Sequence, residues 1–145
     1  LSLLSASQFS AMQAEGMTIG SHTHSHVRLP LISSHEQQQE LSNSRLMLSE
    51  LLSVPVDTFA YPYGLYDKQI LQTVKDCGYR MAFTTRSGFG MVDYDVYQIR
   101  RISIMAHDDV NRFSRKLAFG SNDVDWRTLA QYFPSRIKER IAYAK

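Results

Sequence analysis

Gly20-Ser21-His22-Thr23-His24-Ser25-His26 gathers three of the chain's five histidines within five residues. Neutral imidazole is the commonest protein ligand for zinc-like metals. His22 and His26 are four apart, so a helical turn or helical loop brings both rings to one side. His22 and His24 are two apart, so an extended backbone pairs those instead. Spacing alone leaves both pairings open, beside the plainer alternative of a polar, histidine-rich loop. Against that alternative, the apolar run Met17-Thr18-Ile19 leads into the cluster and reads as a short buried strand. The histidines then sit at a strand's C-terminal end, where α/β folds place their chemistry. Phe59-Ala60-Tyr61-Pro62-Tyr63-Gly64 is a second candidate. Pro62 lacks an amide and Gly64 permits a tight turn, so Tyr63 between them can present its backbone N–H into a cleft. Alone, the same stretch is an ordinary strand-to-helix turn.

The elements that must position these residues follow from pattern. A helix is predicted over about Ser7–Glu15, capped by Ser5 or Ser7, with Gly16 after it. The strand Met17–Gly20 follows, then the histidines, then a break at Leu29-Pro30-Leu31. Ser33 and Glu36 form a capping box for a helix from about Ser34 to Leu52, with Leu41, Leu48, Leu51 and Leu52 inward and Pro55 beyond its end. Thr58–Tyr61 is a short strand. Asp67 caps a third helix in which Ile70, Leu71, Val74 and Cys77 keep helical spacing, and Gly78 ends it. Met81–Thr85 and Tyr97–Ile104 are further strands. Asp108 or Asp109 caps a last helix carrying Val110, Phe113 and Leu117. Alternation of this kind implies a mostly parallel sheet or a barrel. After Gly120 comes a polar connection, and Thr128–Lys145 reads as a basic amphipathic tail interrupted at Pro134.

Composition narrows the function classes. At 145 residues the chain is one domain with room for a core. A formal net charge of +2 is too small to argue for nucleic acid or an anionic membrane. No apolar run reaches the length of a membrane span. The single cysteine, Cys77, excludes an internal disulfide framework and reads as a small buried apolar residue.

Taken together, His22-Thr23-His24-Ser25-His26 and Ala60-Tyr61-Pro62-Tyr63-Gly64 resemble the polysaccharide deacetylase family, carbohydrate esterase family four. The first matches its His-Ser/Thr-x-x-His motif, and the second a Phe-x-Tyr-Pro-x-Gly form of its Arg-x-Pro-aromatic-Gly motif. Gly16-x-x-Ile19-Gly20-Ser21, Cys77-Gly78-Tyr79 and Arg100-Arg101-Ile102-Ser103-Ile104 also resemble the family's pattern. The resemblance covers roughly Leu4 to Gly120, so residues 1–120 are expected to form the deacetylase-like domain and residues 121–145 the polar connection and tail.

The resemblance implies an α/β fold, a distorted (β/α) barrel, that removes acetyl groups from N-acetylglucosamine-containing polysaccharide or oligosaccharide. It also implies an extracytoplasmic or cell-envelope setting in a bacterium. A divalent metal, zinc above all, is held in such enzymes by two histidines and an aspartate. By position the histidines are His22 and His26, with Thr23 bracing the loop. The metal polarises the amide carbonyl and activates water, and the Tyr63 N–H, held by Pro62 and Gly64, serves as an oxyanion donor.

Two departures stand out. The family's Asp-Asp motif precedes its histidines, and no aspartate precedes His22 here. The chain is therefore expected to be N-terminally incomplete and inactive alone, with an open sheet edge covered by a homo-oligomer, a swapped element or the tail. The arginine of the third motif is Ala60. Asp108-Asp109 either imitates the missing pair or caps a helix. His107 is either a late general acid or an exposed loop histidine. His35 is expected at the surface, and Trp126 as a packing anchor. The competing readings are an amidohydrolase- or phosphoesterase-like barrel using His22 and His24, and a non-catalytic carbohydrate- or metal-binding remnant.

Overall fold

The computed structural model describes residues 4–90 and 95–125, with Arg127 and Ala130. The chain divides into two compact units, Leu1–Arg86 with Gly90–Arg101, and Ser87–Phe89 with Ile102–Lys145.

In the first unit, helix α1 (Ala6–Ala14) starts at Ser5, whose side chain and that of Gln8 cap each other's backbone amides. Helix α2 (Ser34–Leu52) has the extent its capping signals predict. Ser33 donates its N–H to Glu36 Oε2 at 2.8 Å, and the Ser33 side chain accepts the Glu36 N–H. The buried positions of α2 are Gln37, Leu41, Ser44 and Leu52. Leu51, expected inward, is exposed. One residue is about 100° of helix, so with Leu52 turned inward its neighbour faces away.

Strands β1 (Thr58–Ala60) and β2 (Met81–Phe83) pair in parallel with Thr58 opposite Met81, Phe59 opposite Ala82 and Ala60 opposite Phe83. Parallel neighbours need a crossover, and helix α3 (Lys68–Asp76) supplies it. Asp67 caps α3 by accepting the Ile70 N–H at 2.8 Å, and Ile70 and Val74 are its buried face. The core is Leu29, Leu41, Phe59, Tyr61, Ile70, Val74, Tyr79 and Ala82. Cys77 is only partly buried against it, with Sγ 3.4 Å from Ser42 Oγ.

Two predicted strands are not formed as full strands. Met17–Gly20 is not a strand, and Met17 is exposed rather than buried. Pairing begins only at Ser21, which donates to Thr58 O and accepts from Ala60 N–H, both at 2.9 Å, and bridges Phe59 in parallel. Within that stretch Ile19 is half-buried while Met17 faces solvent. Tyr97–Ile104 reduces to Ile99, bridged to Phe83. Its first residues close a turn instead: Asp95 accepts Tyr97 N–H on its carboxylate and Gln98 N–H on its carbonyl, both at 2.9 Å. The result is a parallel α/β layer whose two full strands lie between Ser21 on one side and Ile99 on the other.

In the second unit, helix α4 (Val110–Phe119) is capped by Asp109, which accepts the Arg112 N–H at 2.6 Å, and ends at left-handed Gly120. Val110, Phe113 and Leu117 are exposed, whereas Lys116 is buried. Its ammonium donates to Asp108 Oδ2 at 2.5 Å and to Ser103 O at 2.8 Å. Trp126 and the tail from Thr128, apart from Ala130, lie outside the described residues. No helix among the described residues is long and apolar enough to cross a membrane.

Candidate active site

The histidine loop leaves the sheet at Ser21, and a buried hydroxyl chain holds that departure point. Ser21 Oγ lies 2.7 Å from Ser44 Oγ on α2, and the Tyr79 hydroxyl is 2.8 Å from Ser21 Oγ and donates to Leu41 O at 2.9 Å. Burial pushes the Tyr79 phenol up to about 12, outweighing the opposing pull of Ser21. The phenol stays neutral and keeps its donor proton. Buried polar groups cost stability unless paired, and here the pairing ties the residue before His22 to α2 and to the segment that leads into β2.

Beyond Ser21 the two rings four apart converge. His22 Nδ1 lies 2.6 Å from the Ala60 carbonyl oxygen. A carbonyl only accepts, so Nδ1 carries the proton and a neutral His22 offers a bare lone pair at Nε2. His26 Nε2 stands 3.1 Å from that atom, with the rings edge to face at 4.8 Å between centroids. Two facing imidazole nitrogens at this separation can share a proton or a cation. His24 is held differently: its backbone N–H donates to Glu40 Oε2 at 2.9 Å. Ser25 adds its N–H to the same oxygen at 2.8 Å and its hydroxyl to Oε1 at 2.6 Å. Partial burial works against the Glu40 charge, but the Ser25 hydroxyl and the two amides outweigh it and hold the carboxyl below its ordinary range.

The Tyr61–Gly64 turn faces this loop. The Tyr63 ring lies 4.9 Å from the His26 ring, and the Arg28 guanidinium sits 4.9 Å over the Tyr63 ring. Gly64 N–H and Leu65 N–H close the turn onto Tyr61 O and Pro62 O at 2.9 and 3.1 Å. The Tyr63 amide, between them, takes part in neither bond. Pro62 is buried and opens the turn. Gly64 has φ +68°, and a Cβ there would overlap the Thr85 hydroxyl. Four non-glycine residues among those described have positive φ, and three of them are Thr23, His26 and Tyr63. The fourth, Ser53, merely ends α2. Left-handed backbone at a β-branched residue such as Thr23 is costly, and such strain gathers where a site must be shaped. Thr23 is buried and donates its hydroxyl to His22 O at 2.6 Å.

The structure thus brings His22, His26, Thr23 and the Pro62-Tyr63-Gly64 turn together. No group of three His, Cys, Asp or Glu side chains among the described residues is placed to hold a metal. His107 is exposed in the turn before α4, in the second unit, and His35 is exposed on α2. Asp108-Asp109 does not form a free carboxylate pair. Asp109 is the α4 cap, and the Asp108 side chain is closed off from solvent against Lys116 and Arg112. The Lys116 hydrogen bond holds the Asp108 carboxyl below its ordinary range, with the Met105 amide adding to it. Sequence reasoning missed Glu40, Ser44 and the Ala60 carbonyl. The available signal was polar residues on the inward side of α2: buried Gln37 and Ser44 flank Leu41, and a polar residue facing a core needs a partner.

A family model for polysaccharide deacetylase matches residues 5–82. YxkH of Bacillus subtilis (strain 168), assigned as a polysaccharide deacetylase, is 28% identical over 101 residues, which are 70% of this chain and 36% of that protein. Among solved structures, the Streptococcus pyogenes deacetylase PplD in complex with acetate superposes with a TM-score of 0.72 at 26% identity, over 77% of this chain and 49% of that one. A polysaccharide deacetylase from Bacillus cereus gives 0.67 at 29% identity, over 77% of this chain and 35% of its own. The chain therefore spans about a third to a half of the relatives it matches.

Proposed function

The chain belongs to the polysaccharide deacetylase family, and on that premise we propose that it carries the histidine pair of a metal-dependent deacetylase. The expected substrate is a polysaccharide or oligosaccharide containing N-acetylglucosamine. The observation that carries this reading is the convergence of His22 Nε2 and His26 Nε2 at 3.1 Å with His22 Nδ1 tied to Ala60 O. Zinc–nitrogen bonds of about 2.0–2.1 Å at a tetrahedral angle need ligand atoms about 3.3 Å apart. The pair fits two corners of such a site, and a hydrogen bond at the far nitrogen is the usual way a ligating histidine is oriented. A third ligand is not supplied by the described residues.

A bound zinc-like ion supplies Lewis acidity toward the acetamide carbonyl and an acidified water. The chain's own part is positional. His22 and His26 hold their lone pairs on one point. The Tyr63 N–H, free of the turn's own bonds, donates to the oxyanion that forms as the carbonyl carbon becomes tetrahedral. Pro62 and Gly64 keep that amide in place. With two ligands and no assigned base, these 145 residues are expected to show weak metal binding and little turnover alone. In the longer relatives the layer is expected to be part of the distorted barrel. The setting expected from the family is extracytoplasmic or at the cell envelope.

The test is zinc binding and deacetylation of an N-acetylglucosamine oligomer by the full-length gene product. His22→Ala and His26→Ala should each abolish both, and His24→Ala should spare metal binding. Loss of zinc in His24→Ala with retention in His26→Ala would favour the His22–His24 barrel reading instead. Comparable turnover from the 145 residues and from the full-length protein would remove the expectation of inactivity.

A further inference from the structure

We propose that Glu40 is a positioning residue that clamps the histidine loop so that His26 returns to meet His22. The inference rests on the metal-pair reading above and adds a residue to it. His24 and Ser25 belong to the short span between the two rings, and both donate their backbone N–H groups to one oxygen of Glu40, Oε2, at 2.9 and 2.8 Å. The Ser25 hydroxyl takes the other oxygen at 2.6 Å. One carboxylate on α2 therefore gathers three donors from two successive residues. Charge-assisted bonds of this kind are the strong ones.

The loop needs such a clamp, because it is left-handed on both sides of it: Thr23 has φ 65° and His26 has φ 56°. Those two conformations reverse the chain sharply enough for residues 22 and 26 to face each other. The β-branched Thr23 disfavours this conformation strongly, and histidine adopts it more readily though still uncommonly. The hydroxyl chain through Ser21 and Ser44 anchors the loop's first end to α2. Glu40 lies four residues before Ser44, on the same side of the same helix, and anchors its middle. Helix α2 is thus the rigid post to which the loop is tied twice, and the capping box at Ser33 holds its start.

The experiment uses the full-length protein with zinc as the probe. Zinc affinity by chelator competition, the melting temperature of the zinc-free protein and amide exchange at residues 24 and 25 are measured for wild type, Glu40→Ala, Glu40→Gln and Ser25→Ala. Ser33→Ala serves as a control for lost stability in the same helix, and His22→Ala as a control for the metal pair. Residues that orient a metal ligand typically change affinity by about 10–100-fold when removed. Glu40→Ala should weaken zinc by that factor and expose both amides to exchange. Ser25→Ala, which deletes one of the three bonds, should weaken it less, and Glu40→Gln should fall between the two. Ser33→Ala should lower the melting temperature without changing zinc affinity. Wild-type affinity in both Glu40 variants while His22→Ala loses zinc would overturn the clamp and leave the metal pair standing. An equal loss of zinc in Ser33→Ala would overturn it too, since helix stability alone would then account for the effect. Zinc held as tightly by His22→Ala as by wild type would remove the metal pair itself, and the clamp with it.

Discussion

At the scale of single residues, the turn opposite the histidines separates backbone from side-chain roles. Gly64 has a positive φ and no room for a Cβ beside Thr85, so Gly64→Ala must move the turn. If the Tyr63 amide is the oxyanion donor proposed above, Gly64→Ala in the full-length protein should lower turnover by about 10²–10³, the usual loss for one such donor. Tyr63→Phe keeps the backbone, the ring tilted against His26 and the face beneath Arg28, and should cost little. Steady-state rates on an N-acetylglucosamine oligomer check this. An equal loss in both variants would assign the role to the Tyr63 hydroxyl rather than to its amide.

At the scale of elements, the histidine loop hangs between α2 and β1, and its foundation is the buried hydroxyl chain rather than a full strand. Tyr79→Phe removes the proton donor to Leu41 O and the hydroxyl beside Ser21 Oγ. Leaving buried acceptors unsatisfied costs about 1–3 kcal/mol, so the urea midpoint of the variant should fall accordingly. Loss of the Ser33 cap should cost about 1 kcal/mol, typical of N-caps, because both halves of the box are formed. Far-UV ellipticity through the urea transition measures both. A Tyr79→Phe protein as stable as wild type would mean that water replaces the hydroxyl without loss.

At the scale of the whole molecule, each unit carries a buried titratable group with its own pH limit. Asp108 in the second unit has its folded pKa below the ordinary value because of Lys116. Its contribution is therefore complete above the unfolded carboxylate value of about 3.9 and is lost as pH falls through the lower folded value. Acid titration followed by ellipticity should show α4 failing only below about pH 4, and Asp108→Asn should remove that acid limb. Tyr79 in the first unit is raised to about 12 by burial, so the sign reverses. Between its unfolded value of about 10 and its folded one, the unfolded chain ionises while the folded one does not, and stability falls as pH rises. The expected slope is on the order of 1.4 kcal/mol per pH unit from this residue. Urea midpoints from pH 9 to 12 measure it, and a flat profile would contradict the burial assigned to the phenol.

What the sequence determined by itself is whatever depends on near neighbours along the chain. The Ser33–Glu36 box, the Asp67 cap and the Gly78 stop are local chemistry, and they marked α2 and α3 closely. The His-x-x-x-His spacing and the Pro62-Tyr63-Gly64 turn are local too, and the family resemblance rested on them. Strands were less legible, because a strand exists through its partners. Met17–Gly20 and Tyr97–Ile104 have strand-like composition, yet the first contains no paired residue, the bridge falling just after it at Ser21, and the second keeps only Ile99, since pairing is decided by segments distant in sequence. Pairing of His22 with His26 rather than His24 needed two left-handed residues and the Ala60 carbonyl, which lies 38 positions away. The role of Glu40 needed the fold of α2 against the loop, 15 and 16 positions distant. A carboxylate on a helix is ordinary in sequence; only tertiary structure shows which amides it meets.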